Sequence, residues 1–163
     1  TLYLAEKAGS SGMVVAIEPM PDNLAFLEKN VSYNKLENVV VVKKGVWDKN
    51  DIQTFYQTGH DTQSASLVLD GNEKNVYNIE VNTLDKILED HQVKHVDLML
   101  IQLNGIEPEA LEGLTIIKPE HLAIAARYTS DGAKPVPRIR KTLSDRNYTV
   151  KVVQRDYVYA SQN

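Results

Sequence analysis

The sequence predicts an α/β protein in which a mostly parallel sheet is covered by helices on both faces and finished by an antiparallel strand at the carboxyl-terminal end. Three observations predict it. Short continuous apolar runs at residues 13–17 and 39–42, and the mostly apolar segment 96–103, have the length of strands buried on both sides. Stretches with helical apolar spacing alternate with them, as crossovers between parallel strands require. The runs at 148–153 and 157–160 lie close together and read as a closing antiparallel hairpin.

Taken in order, Thr1 to Gly9 reads as the second half of a helix with Gly9 at its carboxyl-terminal cap, so further residues are expected upstream. Ser10-Ser11-Gly12 is a turn, and Met13-Val14-Val15-Ala16-Ile17 is a buried strand that Pro19 stops. Pro21 fits the first position of a helix whose apolar stripe is Leu24, Leu27 and Val31 and whose end falls near Asn34. Four valines, Val39 to Val42, form the next strand. Residues 43–48 leave it as a loop, and 52–57 read as an edge or hairpin strand. The small polar segment 58–66 is a loop, and the alternation from Val76 to Val81 is a strand. Thr83 caps a helix carrying Leu84, Ile87 and Leu88. The strand at 96–103 ends at Asn104-Gly105, a helix covers roughly 108–114, and 122–126 is a strand. Pro137 starts a basic helix with Ile139 and Leu143 facing inward, and Asn147 stops it.

At 163 residues, with 42% apolar and 25% charged residues, the chain is sized for a single domain, 1–163, burying about 70% of its unfolded surface. Cysteine is absent, which excludes disulfides, thiolate metal sites and cysteine nucleophiles. No apolar run is long enough for a membrane helix and no signal segment is visible, so a cytoplasmic location is expected. Charge is uneven: from Lys134 to Arg155 there are seven basic residues and one acid, a surplus of six on a chain of net charge −4. That stretch reads either as an anion or nucleic-acid groove or as the solvated face of a helix. The lack of interleaved aromatics favours the solvated face over nucleic acid.

In open α/β sheets ligands bind beyond the carboxyl ends of the strands, which directs attention to Glu18, to residues 45–48 and to residues 102–105. A carboxylate directly after a strand offers two oxygens in a fork, suited to the two hydroxyls of a ribose; Glu18 is so placed, although an exposed glutamate before a proline is also commonplace. Trp47 can cover a purine face or pack on the sheet rim, and Asp48 can read the purine edge. His91, His95 and His121 match no metal-ligand spacing, and no metal is expected.

Several strings then occur in succession: Ile17-Glu18-Pro19-x-Pro21-x-Asn23-x-x-x-Leu27-x-x-Asn30; Asn38-Val39 followed by Gly45-Val46-Trp47-Asp48; Asn82-Thr83-Leu84-Asp85; Val96-Asp97-Leu98; and Gly105-Ile106-Glu107 before Leu111-x-Gly113. Together they resemble the FkbM-type methyltransferases. The resemblance covers nearly the whole chain. It implies a Rossmann-like class I methyltransferase fold, a three-layer sandwich that uses S-adenosylmethionine, and methylation of a hydroxyl on a sugar or small natural product. It also implies that Glu18 holds the cofactor ribose, that Val46, Trp47 and Asp48 line the adenine pocket, and that residues 64–67 lie near the substrate mouth.

Two departures from the family pattern matter. The family's Asp-x-Gly-x-x-x-Gly loop is expected just upstream of Thr1, together with the central first strand; without that strand, 13–17 and 96–103 would either flank a gap or pair directly. The family's Lys-Ile-Asp-Val-Glu-Gly is here Leu100-Ile101-Gln102-Leu103-Asn104-Gly105, which exchanges two carboxylates for amides. Gln102 and Asn104 still hydrogen-bond, and both are candidate cofactor contacts, but neither is a general base. His60, in the polar loop, is the candidate base; its other reading is an exposed loop histidine. Gln102 is the second candidate for a catalytic contact. Three functions stay open: an O-methyltransferase acting on a small hydroxyl acceptor, a non-catalytic methyltransferase-like binding domain, and a nucleic-acid-binding module.

Overall fold

The computed structural model describes residues 1–58, 73–129 and 132–162. These form a mixed α/β structure in two compact units, one of Thr1–Gly45 with Ile52–Val81, the other of Val46–Asp51 with Asn82–Asn163.

In the first unit α1 (Leu2–Ala8) ends at Gly9, whose φ of 65° is the left-handed conformation that glycine adopts without strain. The amide of Asn38 donates to the carbonyls of Ala5 and Gly9 at 2.8 and 2.9 Å, so a side chain distant in sequence satisfies the last carbonyls of that helix. Gly12 packs so closely that a Cβ there would lie 2.7 Å from the Ala8 carbonyl oxygen. Next come β1 (Val14–Ile17), α2 (Pro21–Tyr33) and β2 (Val39–Val42). β1 and β2 pair in parallel, Val14 opposite Val39 through Ile17 opposite Val42, and the helical crossover between them is what parallel pairing demands. Leu24, Leu27 and Val31 are the expected stripe of α2 but are only half-buried, while Phe26 and Tyr33 are exposed. A second sheet has the order β3 (Gly45–Val46), β5 (Glu73–Asn82), β4 (Asp51–Thr58), which places β4 at its edge. β3 corrects the expectation of a plain loop over 43–48. Gly45 is required there, because a Cβ would lie 2.8 Å from Val81 Cγ1 and 3.3 Å from Phe55 Cζ.

The second unit is built on a four-stranded sheet of order β6 (Leu98–Ile101), β7 (His121–Ala125), β9 (Tyr157–Gln162), β8 (Tyr148–Val153). β6 and β7 run parallel; β9 is antiparallel to both its neighbours. Helices α3 (Leu84–Asp90), α4 (Glu107–Glu112) and α5 (Val136–Asp145) complete it. Leu122, Ile124 and Val158 on the strands and Ile87, Leu111, Ile139 and Leu143 on the helices are almost wholly buried, as the period-two and helical patterns require. α5 begins at Val136, with Pro135 as its cap and Pro137 inside its first turn. Its stop follows from Arg146 and from Asn147 at φ 65°.

β1 and β6 belong to separate sheets, so the described strands do not pair directly with each other. β6 is also shorter than the mostly apolar segment 96–103. Expected to be buried on both faces, it instead exposes Leu98 (47%) and Leu100 (56%) while burying Ile101. It is the terminal strand of its sheet, and the backbone leaves the strand at Gln102 for a turn through Asn104 at φ 56° and Gly105 at φ 109°.

Candidate functional site

Glu18 follows the last residue of β1, and its amide donates to the Val42 carbonyl, extending the β1–β2 ladder by one bond. Its side chain turns onto the start of α2. Oε1 accepts from the Met20 amide at 2.9 Å and from the Asn23 side chain at 3.4 Å. These contacts explain Glu18-Pro19-x-Pro21-x-Asn23 as a local unit: the two prolines shape the approach to the helix, and the carboxylate takes up an amide near its first turn. Oε2 accepts no hydrogen bond from the described residues, which leaves one oxygen of the fork for a ligand hydroxyl.

Val46, Trp47 and Asp48 lie in the second unit. Val46 is buried, Trp47 is half-buried and Asp48 exposed. The segment is held from two sides. Trp47 N–H donates to the Asn82 carbonyl at 3.0 Å, and the Asn50 side chain accepts from the Thr83 amide at 3.1 Å. Gly113 closes against it; a Cβ there would sit 2.6 Å from the Trp47 carbonyl oxygen. Thr83 in turn caps α3, its hydroxyl accepting from the Lys86 amide at 3.1 Å. Asp85 receives the Thr115 amide and hydroxyl at 2.6 and 2.8 Å and the amides of Ile116 and Ile117. Asn82-Thr83-Leu84-Asp85 is thus a structural clasp, which fixes the Trp47 segment and the chain after α4.

After β6 the exposed Gln102 and half-buried Asn104 follow at the carboxyl edge of the strand. Glu107, which the sequence showed only as part of Gly105-Ile106-Glu107, is fully buried (0% exposed), and its Oε1 accepts from the amides of Leu103 at 2.9 Å and Gly105 at 3.3 Å. The structure therefore provides a buried carboxylate beside the two amide-bearing positions. Sequence reasoning missed it because the glutamate stands past the strand end, inside a helix.

His60 and residues 64–67 lie outside the described residues. Much of the basic stretch is engaged inside the molecule. Arg138 bridges Glu109 and Glu112, which holds its guanidinium firmly charged; Lys134 pairs with Asp156 at 2.8 Å, Lys141 with Asp145 at 2.6 Å, and Arg146 donates to the Leu114 carbonyl. His95 stands 3.4 Å from Asp97 and 3.5 Å from Glu120 where β6 and β7 begin, a grouping of three exposed side chains that linear spacing does not show. A cavity of about 100 Å³ beneath Leu111, Leu122, Leu143, Arg146 and Tyr148 is smaller than the roughly 300 Å³ at which small-molecule sites begin. Among the described residues no helix is long and apolar enough to cross a membrane.

Alternating strands and helices define a mixed α/β protein. The model of the FkbM methyltransferase domain matches residues 1–150, and the chain belongs to that family. In three dimensions it is similar to the crystal structure of methyltransferase FkbM from Methylobacillus flagellatus KT, with a TM-score of 0.61 and 19% identity over 98% of this chain. The chain spans 40% of that protein's length. No curated protein matches it.

Proposed function

We propose that the chain acts in S-adenosylmethionine-dependent methyl transfer to a hydroxyl group of a sugar or small natural product. Membership of the FkbM methyltransferase domain family over residues 1–150 carries the reading. Two local features support it: a carboxylate after β1 with one uncommitted oxygen, and a half-buried Trp47 on a braced segment. In this reading Glu18 holds the ribose, Val46 and Trp47 line the adenine, and Asp48 meets its edge. Gln102 and Asn104 offer neutral hydrogen-bonding groups after β6. S-adenosylmethionine would supply a methyl group on a sulfonium that is already a good leaving group, so the protein's work is to align the acceptor hydroxyl and take its proton. His60 is the proposed base, because Gln102 and Asn104 cannot hold that proton.

The two amides also favour a second reading, a non-catalytic methyltransferase-like binding domain that has lost cofactor-binding or catalytic residues. Calorimetric titration of the natural polypeptide carrying this chain with S-adenosylhomocysteine tests the site. Binding that is weakened by Glu18→Ala and accompanied by a change in the emission of Trp47, the sole tryptophan, is expected. No heat at millimolar ligand would overturn the enzyme reading. Binding without methyl transfer to any sugar or natural-product hydroxyl selects the second.

A further inference from the structure

A carboxylate withdrawn from water is stable only when its oxygens find partners, and the structure contains one that is half provided for. Glu107 is 0% exposed, and it forms no ion pair with any described Lys, Arg or His. Oε1 accepts two backbone amides; Oε2 is buried and accepts none among the described residues. Glu109, two residues on, also has a buried Oε2 without a partner, but that carboxylate pairs with Arg138 through Oε1.

The two amides that reach Glu107 belong to Leu103 and Gly105, which flank Asn104. Convergence of both on a single oxygen requires the intervening backbone to turn back on itself. Gly105 takes φ 109° without a side-chain penalty, but Asn104 takes φ 56°, a conformation that an L-residue adopts at a cost of about 1 kcal/mol unless something holds it. Backbone amides gathered around an anion form a nest; here the anion is the chain's own carboxylate. Charge-assisted bonds of this kind are roughly twice as strong as neutral ones, enough to offset the turn.

We propose that Glu107 is a positioning residue: acting through the amides of Leu103 and Gly105, it fixes the turn that presents Gln102 and Asn104 at the carboxyl edge of β6. The proposal rests on the cofactor-binding reading for the use of that turn, but the fixing of the turn is measurable without it. Glu107 acts on this segment from inside the fold.

The test compares E107A and E107Q with the wild-type protein. In ¹H–¹⁵N spectra without ligand, the Leu103 and Gly105 amide protons of wild type are expected downfield and protected from exchange. E107A should move both upfield and expose them. E107Q keeps an oxygen acceptor in the same place without the charge and should retain both bonds in weaker form, its signals staying downfield of those in E107A. For S-adenosylhomocysteine, E107A should bind about tenfold to a hundredfold more weakly, as expected for loss of hydrogen bonds to a charged group, with E107Q restoring part of the affinity. Unchanged Leu103 and Gly105 signals in E107A, or E107Q as damaging as E107A, overturn the proposal. Should E107A fail to fold, the E107Q spectrum decides: retained downfield, protected amides support the clamp, and their loss overturns it. A wild-type protein that binds no S-adenosylhomocysteine overturns the cofactor reading and leaves the amide signals to judge the clamp.

Discussion

Asp85 shows how much one side chain can organise. Its carboxylate gathers the amides of Thr115, Ile116 and Ile117 and the Thr115 hydroxyl, so three successive backbone donors beyond α4 share one acceptor group. Asp85→Ala removes all of these bonds and is expected to lower stability by about 1–2 kcal/mol, toward the low end for charged hydrogen bonds because the group lies near the surface. Asp85→Asn, which keeps one oxygen, should lose less. Urea unfolding checks both. At this scale the sequence conveyed residue type and spacing but not role. Thr83 was recognisable as a cap because capping is a local geometry. Asp85 and Glu107 were not, since the partners of Asp85 lie about thirty positions away and the burial of Glu107 depends on how the chain folds over it.

Among the elements, those with a strong period were predicted closely: α1, α2, β2, α5 and the β8–β9 pair fall where their patterns put them. The errors lie where apolar character and burial part company. β6 reads as a strand buried on both faces yet shows leucines to solvent, and β3 is a two-residue strand that periodicity cannot register. β8 is tied at its start by the Tyr148 hydroxyl, which donates to the Pro119 carbonyl at 2.7 Å. Burial raises the Tyr148 phenol above its ordinary value of 10.0, with Gln162 and Arg146 opposing in part. A raised value in the folded state means that unfolding favours ionisation. The Tyr148 contribution is therefore whole below pH 10 and is lost as pH rises through the folded value. Tyr148→Phe should cost about 1 kcal/mol at neutral pH and should flatten the fall in stability above pH 10, read from denaturation midpoints between pH 7 and 11.

For the molecule as a whole, buried apolar side chains are unequally shared. In the first unit the described core consists of Ala5, Met20, Val42, Phe55 and Val81; in the second it extends through all three helices and the four-stranded sheet. Amide exchange should follow that division. Protection is expected to be greatest at Leu122–Ile124, Ile139–Leu143 and Val158–Ala160 and lower across β1 and β2, whose residues are mostly half-buried. Mass-resolved hydrogen exchange of peptides covering these segments measures it, and equal protection in both units would contradict it. The family was legible because its motifs occur in sequence order along most of the chain; the share of burial between units was not, because apolar residues of similar content stand in both.

The leucines of β6 carry a further meaning. Leu98 and Leu100 project from the last strand of a sheet whose backbone ladder ends there. The two leucines stand two residues apart and so share one face of the strand, while Met99 and Ile101 share the other; β6 is two-sided, its outward apolar stripe as regular as the one it turns to the described core.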